Sequence, residues 1–286
     1  MKTYVLYNKK ANNGQGAQGA FRIKDIWTTK ELVYKEVNEF DTYAELFAAL
    51  EADDEVVVCG GDGTLNFLIN EIDCDAVDNP VYYYPTGTGN DFWTDIGKGA
   101  DDAPMMINKY LRRLPVVKVN GMTRKFINGI GYGIDGYCCE VGDQQRAKNG
   151  SKPINYTSIA IKGLLFHYKP TNASVTVDGK LYTFEKAWLA PTMNGRCYGG
   201  GMYAAPDQDR LNPERTVTVM VMYGKGKLGT LAAFPSIFKG EHVKKTDIVA
   251  TIVGKRVKVE FDRPVALQID GETVLNVREY EVETAE

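Results

Sequence analysis

Residues 55–71 place the strongest constraint on the fold. A short apolar run, Glu55-Val56-Val57-Val58-Cys59, stops at Gly60-Gly61-Asp62-Gly63 and resumes at Leu65 with helical spacing. A strand that turns through glycines directly into a helix belongs to an α/β sheet. There the helix begins at the carboxyl end of the strand and points its first backbone N–H groups at a crevice that suits an anion. Gly60, Gly61 and Gly63 are expected to adopt positive φ and to let a polyphosphate approach the backbone. Thr64 is expected to cap the helix and donate to phosphate. Asp62 is the odd member, because a carboxylate repels a phosphate. It implies a metal, a general base or a hydrogen-bonded brace.

The surrounding segments repeat this alternation. Residues 3–7 are strand-like, 11–19 a Gly/Asn/Gln loop, 21–31 helical and 32–37 extended. Residues 42–51 are helical again, with Thr42 and Glu45 at capping-box spacing, and 81–84 form a further strand. Such a rhythm predicts a mostly parallel sheet with helices on both faces. From about Val117 the pattern changes to short β-branched segments at 126–130, 173–177, 181–189, 216–223, 248–253, 256–261 and 265–269. Turn signals such as Asp178-Gly179 separate them, and one helical insert falls at 155–167. The expected organisation is an α/β domain over 1–118 and a β-rich domain over 119–286, whose last residues could return to the first.

Composition removes several classes of function. A net charge of -3 argues against a broad nucleic-acid surface, and no nucleic-acid partner is expected. Cys59, Cys74, Cys138, Cys139 and Cys197 form no CxxC pair, so zinc and a secreted disulfide framework are poor readings and a cytoplasmic location is expected. His167 and His242 are too scattered for a metal site and are expected at the surface or at helix ends. No apolar run approaches the roughly 20 residues that span a bilayer, so membrane contact is expected to be peripheral and transient.

A second turn of the same kind, Tyr84-Pro85-Thr86-Gly87-Thr88-Gly89-Asn90-Asp91-Phe92, follows the next strand. Two such turns on successive strand ends face one crevice, to which Asn8, Lys9 and Lys10 add an amide and positive charge. Phe92 stands where a GxGxxG run needs its third glycine, and Ala20 stands where a Walker A needs lysine. The 60–66 and 85–92 segments together resemble the catalytic domain of the diacylglycerol kinase family, which includes bacterial lipid kinases and sphingosine and ceramide kinases. Phe126-Ile127-Asn128-Gly129-Ile130-Gly131 with Asp135, Asn194 with Gly199-Gly200-Gly201 and Pro206, Phe238-Lys239-Gly240-Glu241-His242 and Asp270-Gly271-Glu272 follow in the family's order. The resemblance covers most of the chain.

The resemblance implies an amino-terminal nucleotide-binding α/β lobe of the NAD-kinase and diacylglycerol-kinase kind, a carboxyl-terminal β-sandwich lobe, and an active site in the cleft between them. It assigns ATP to Asn8, Lys9, Gly60, Gly61, Gly63, Thr64, Gly87, Thr88, Gly89, Asn90 and Asp91, and Mg2+ to Asp62 and Asp209. Asp62, Asp270 and Glu272 are the acidic residues nearest the chemistry. Glu272 or Asp270 would take the proton of the attacking hydroxyl, with the other as a metal or positioning ligand. Considered locally, Asp270-Gly271 is a hairpin turn like Asp178-Gly179. Two departures stand out. Asn8-Lys9 replaces the family's Asn-Pro, and Asp209-Arg210-Leu211-Asn212 stands where relatives carry an acidic residue and glycine, leaving a metal-linked role to Asp209 or reducing the site to Asn212. The implied activity is transfer of the γ-phosphoryl group of ATP to a lipid hydroxyl, of diacylglycerol or a related lipid, at a membrane surface docked through residues 228–245. Rival readings are a kinase of NAD or a soluble alcohol, and a nucleotide-binding regulator without turnover. A homodimer is left open.

Overall fold

The computed structural model describes residues 1–9, 14–87, 89–149 and 154–285. The chain divides into two compact units, Met1–Leu114 and Pro115–Glu286. The first unit is built on β1 (Thr3–Tyr7), β2 (Leu32–Glu36), β3 (Glu55–Gly60), β4 (Val81–Pro85) and β5 (Met105–Met106), in the sheet order β2-β1-β3-β4-β5. The first four strands run parallel and only β5 is antiparallel, because helical crossovers return the chain to the same end each time. All six residues of β3 are buried, as a central strand covered on both faces requires.

Connecting these strands are α1 (Gly16–Phe21), α2 (Ile23–Ile26), α3 (Tyr43–Ala48), α4 (Asp62–Glu71), α5 (Asp91–Asp95) and α6 (Asn108–Leu111). The Thr42 side chain accepts the Glu45 N–H at 3.2 Å, the N-cap that its spacing predicts. The loop expected over 11–19 is instead helical from Gly16, and residues 11–13 lie outside the described residues. Gly19 marks close packing there, since a Cβ on it would sit 2.8 Å from Thr86 Cγ2. The single helix expected over 21–31 is two short ones that end at Ile26.

The second unit carries β6 (Val116–Val119), β7 (Met122–Lys125), β8 (Gly129–Tyr132), β9 (Thr171–Val177), β10 (Lys180–Ala187), β11 (Thr192–Met193), β12 (Val217–Met222), β13 (Val249–Gly254), β14 (Arg256–Ile269) and β15 (Glu272–Glu283). Their order is β13-β12-β11-β8-β14-β15-β6-β7, with β9 joining β14 and β10. The segments 256–261 and 265–269, expected as separate strands, form one strand with irregular register around Val265. Its first half pairs with β9 and its second with β8. A strand bent by bulges can serve two layers, and Tyr132 stacks on Phe261 at 3.9 Å between ring centroids inside the core that results.

The division falls after Leu114 because β6 pairs with β15 in the second sheet, so residues 116–118 belong there. The last strand also stays in that sheet through Glu283 instead of returning to the first unit. The helical insert is α8 (Tyr156–Lys162), continued by a π-helical turn at Gly163–His167. An unforeseen helix, α7 (Ile134–Asn149), precedes it. Its glycines conceal it, yet they let it lie against β14: a Cβ on Gly136 would sit 1.9 Å from Ala266 O. A further helix, α9 (Lys227–Ala233), follows β12. His242 is fully buried, not at the surface, with Nε2 3.0 Å from Ala204 O, and burial pushes its pKa down.

Candidate functional site

In the first unit the carboxyl ends of β3 and β4 are joined into one junction. Gly60 O accepts the N–H of Thr86 at 2.9 Å, the N–H of Gly87 at 3.3 Å and the hydroxyl of Tyr83 at 3.0 Å. Burial and the nearby Asp62 charge push the Tyr83 phenol up, which keeps it a donor. The Asp62 N–H reaches Gly89 O at 3.4 Å, and the Asp62 carboxylate accepts the N–H of Asp91 at 2.8 Å and of Phe92 at 3.0 Å. Of the three roles open to Asp62, this geometry supports the brace.

The glycines serve the same junction by size. Gly61 is extended, with φ −109°, and among the described residues with positive φ neither Gly60, Gly61 nor Gly63 appears, which corrects the sequence expectation. A Cβ on Gly87 would lie 2.8 Å from Gly61 Cα, and one on Gly60 would lie 2.2 Å from Thr64 Oγ1. Thr64 therefore packs on Gly60 inside α4, and the N-cap is Gly61. Asn90 donates to Gly87 O at 3.0 Å. Its Oδ1 and the Thr86 hydroxyl are buried and make no hydrogen bond among the described residues. A leftover hydroxyl donor beside the opening of a ten-residue helix suits an anionic group. Asn8 follows β1 and is partly buried, and Lys9 pairs with Glu36 at 2.6 Å. Lys10 and Thr88 lie outside the described residues.

The second unit has its own polar cluster. Asp270 and Gly271 both have positive φ, 46° and 95°, so they form the two-residue turn that joins Ile269 to Glu272. The Asp270 carboxylate is buried and accepts three backbone N–H groups, from Ile127 at 2.6 Å, Asn128 at 2.8 Å and Gly129 at 2.9 Å. Asp178 in its own turn behaves alike, accepting from Lys255 and Arg256. The shared pattern marks Asp270 as a brace for the 127–129 segment, while the adjacent Glu272 side chain is exposed. Asn194 Nδ2 and Arg210 both donate to Ile127 O, at 2.9 and 3.1 Å, and Arg210 also reaches Asn128 Oδ1 at 3.2 Å. Arg210 is not legible as a site residue in the sequence, because a lone arginine in a turn gives no local sign that it is buried.

Asp209 closes a turn of its own by accepting the Leu211 N–H at 2.9 Å, and Asn212 ties the 209–216 loop through Asp209 O and Thr216. Among the described residues no three His, Cys, Asp or Glu side chains converge as a metal cage. Asp135 is buried under a hydrogen bond from the Tyr198 hydroxyl, and burial raises its pKa to about 6. A carboxyl held above its ordinary value contributes stability that is complete below about pH 4 and is lost as pH rises through about 6. Asp135→Asn, which keeps an acceptor for Tyr198, is therefore expected to stabilise the fold by about 2 kcal/mol near pH 8 and hardly at all near pH 4. Thermal melts at the two pH values measure this difference, and equal shifts would remove the charge from the argument.

Comparison with known proteins gives two family matches, the diacylglycerol kinase catalytic domain over residues 2–119 and the YegS C-terminal NAD kinase beta sandwich-like domain over residues 128–281. A diacylglycerol kinase of Bacillus subtilis is 30% identical over 81% of this chain and 75% of its own length. One from Mycobacterium tuberculosis is 28% identical over 74% of this chain and 69% of its own. A solved diacylglycerol kinase structure from Bacillus anthracis superposes with a TM-score of 0.65 at 20% identity, covering 100% of this chain and 94% of that one, which shows a shared fold.

Proposed function

The chain belongs to the diacylglycerol kinase family and is a phosphotransferase that acts on an alcohol group, and we propose that it moves the γ-phosphoryl group of ATP onto the hydroxyl of diacylglycerol. One observation carries the nucleotide half of this reading. The Asp62 carboxylate locks the two glycine turns together before any ligand arrives, so their backbone is preorganised for a triphosphate. Relatives named as diacylglycerol kinases support the acceptor.

In the proposed reaction Glu272 accepts the proton of the lipid hydroxyl as its oxygen bonds to the γ-phosphorus, and the bond to the β-phosphate oxygen breaks to release ADP. Asp270 acts as a positioning residue that fixes the turn carrying Glu272. Mg2+ would neutralise charge on the β- and γ-phosphates, with Asp62 as the adjoining carboxylate. Asp209 is left out, since its carboxylate closes its own turn. The test is transfer of labelled phosphate from ATP with Mg2+ to a panel of lipids in mixed micelles. Labelling of diacylglycerol, with a rate that follows its surface concentration, is expected. Rapid phosphorylation of NAD or a short soluble alcohol, with every lipid inert, would sink the lipid reading.

A lipid hydroxyl lies at an interface, and no helix among the described residues is long and apolar enough to cross a membrane. The proposed docking face is the 228–245 segment. Leu228 is 76% exposed and Phe238 44%, with Lys227, Lys239 and Lys244 exposed, whereas Ile237 belongs to the core. Lys227 Nζ donates to Leu165 O at 2.7 Å, tying this face to Phe166, which is 70% exposed. Apolar side chains among lysines suit an anionic bilayer surface. Replacing Lys239, Lys244 and Lys245 with Glu is expected to weaken binding to anionic vesicles about 100-fold or more, at roughly 1 kcal/mol per lysine, and to raise the apparent KM for lipid. ATP affinity should stay as it was. Sedimentation with vesicles reads the outcome, and unchanged binding would move the docking face elsewhere.

A further inference from the structure

Among the described residues the two sheets end at β2, β5, β7, β10 and β13. An open edge invites another strand unless charge, proline, a bulge or shortness guards it. β2 carries Lys35 and Glu36, β7 carries Arg124 and Lys125, and β5 is only Met105–Met106. β10 carries Lys180, Glu185 and Lys186 and shifts register after Phe184. β13, Val249-Ala250-Thr251-Ile252-Val253-Gly254, has no charge, no proline and no break in register.

The backbone of this strand is open on one side. Tyr223 N–H donates to Ile248 O at 2.9 Å, and the same register sets Val221 against Ala250 and Val219 against Ile252. The antiparallel alternation therefore turns the N–H and C=O groups of Ala250 and Ile252 toward β12 and those of Thr251 and Val253 away from it. Among the described residues no loop or side chain takes these outward groups. Val249 N–H is held by Lys245 O at 2.9 Å, and beyond Gly254 the Asp178 carboxylate takes the N–H groups of Lys255 and Arg256, which bounds the open run. Ala250 and Ile252 pack on the core, while Thr251 and Val253 point to the other face, where Val253 is 59% exposed. With Pro206 and Val243 they line a groove of about 200 Å³, which gives the side chains of an added strand room.

We propose that the occupant is β13 of a second copy, joined antiparallel about a two-fold axis at Thr251, so that the second sheets of two chains become one. This register sets Thr251 against its own counterpart and Val253 against Val249, pairing outward groups with outward groups. It also sets Asp247 opposite Lys255 at both ends. Their present partners are the surface ions Lys225 at 3.3 Å and Glu214 at 3.0 Å, pairs that yield at little cost. Moving the axis to Ile252 or Val253 carries Asp247 past the end of the strand and loses this match. Each copy has one such edge, so the assembly closes at two. Its test is sedimentation equilibrium of the full chain as wild type, Thr251→Pro, Asp247→Lys and Lys255→Asp. An interface built on one strand is small, so a wild-type dimer of micromolar affinity is expected. Thr251→Pro removes the two central donors and should leave a monomer, with Tm unchanged because the lost N–H faces away from β12. Asp247→Lys and Lys255→Asp each oppose like charges at both ends and should weaken the dimer about 10-fold. An equimolar mixture of the two should recover it, since each end then pairs an acid with a lysine. Both side chains are exposed, so this recovery reads the register even where the proline variant fails to fold. A monomeric wild type overturns the proposal and leaves the edge to a strand of another protein. A dimer that survives Thr251→Pro, a mixture no tighter than either variant alone, or growth beyond two copies overturns it as well.

Discussion

Glu272→Gln is expected to lower kcat for lipid phosphorylation about 100-fold or more, the scale of a lost general base, while ATP affinity and Tm stay near those of the wild type. Its side chain is exposed at the first position of β15, so removing its charge disturbs little else. Asp270→Asn is expected to behave in the opposite way. Three backbone N–H groups converge on the Asp270 carboxylate, and an amide offers them one oxygen and sets its own donors against the rest. With buried hydrogen bonds to a charged group worth about 1.5–3 kcal/mol each, the loss is several kcal/mol, visible as a lower Tm. Any fall in activity then follows the displaced turn. Labelled-phosphate kinetics beside thermal melts separate the two cases. Near-normal kcat in Glu272→Gln removes it from the mechanism, and a stable Asp270→Asn variant without turnover returns the proton acceptor to Asp270.

The first unit was legible because its signals are local. The apolar run before Gly60, the capping pair Thr42 and Glu45 and the strand at 81–84 each specify an element from a few neighbouring residues, and the parallel sheet follows from their alternation. Where the sequence misled, a residue served a distant partner. Gly19 ends a segment that reads as a loop and Gly136 lies in one that shows no element, but both keep their helices close to Thr86 and Ala266. The bend in β14 reads from the sequence as a gap between two strands, because its pairing with β8 and β9 is decided by strands about 135 and 85 residues away.

The candidate site divides in the same manner. The motifs located both glycine turns and the Asp270 hairpin, but a motif gives residue types without saying what each touches. The turn glycines were expected to make room for a ligand, whereas Gly61 and Gly87 make room for each other. Arg210 escapes the motifs because nothing within several residues of it distinguishes a buried, partnered charge from a solvated one. Its meaning comes from its bond to Ile127.

Asp62→Ala is expected to weaken ATP binding about 100-fold or more and to lower Tm. The carboxylate is the only part of the residue that the Asp91 and Phe92 N–H groups engage in the junction, and two hydrogen bonds to a charged acceptor represent about 3–6 kcal/mol. Part of that loss appears as reduced stability of the first unit, and the rest appears when ATP must reorder the loosened turns before it binds. Asp62→Asn is expected to fall between wild type and alanine, because its amide oxygen can hold one N–H while its NH2 group faces the other. Magnesium distinguishes this brace from a purely metal-binding role. Calorimetry with ATP at low and saturating Mg2+ should give the same fold loss in Asp62→Ala if the carboxylate acts through the turns, since excess ion cannot restore two backbone contacts. Recovery of near wild-type affinity at saturating Mg2+, with Tm unchanged by the substitution, would assign Asp62 to the metal and leave the turns to hold themselves.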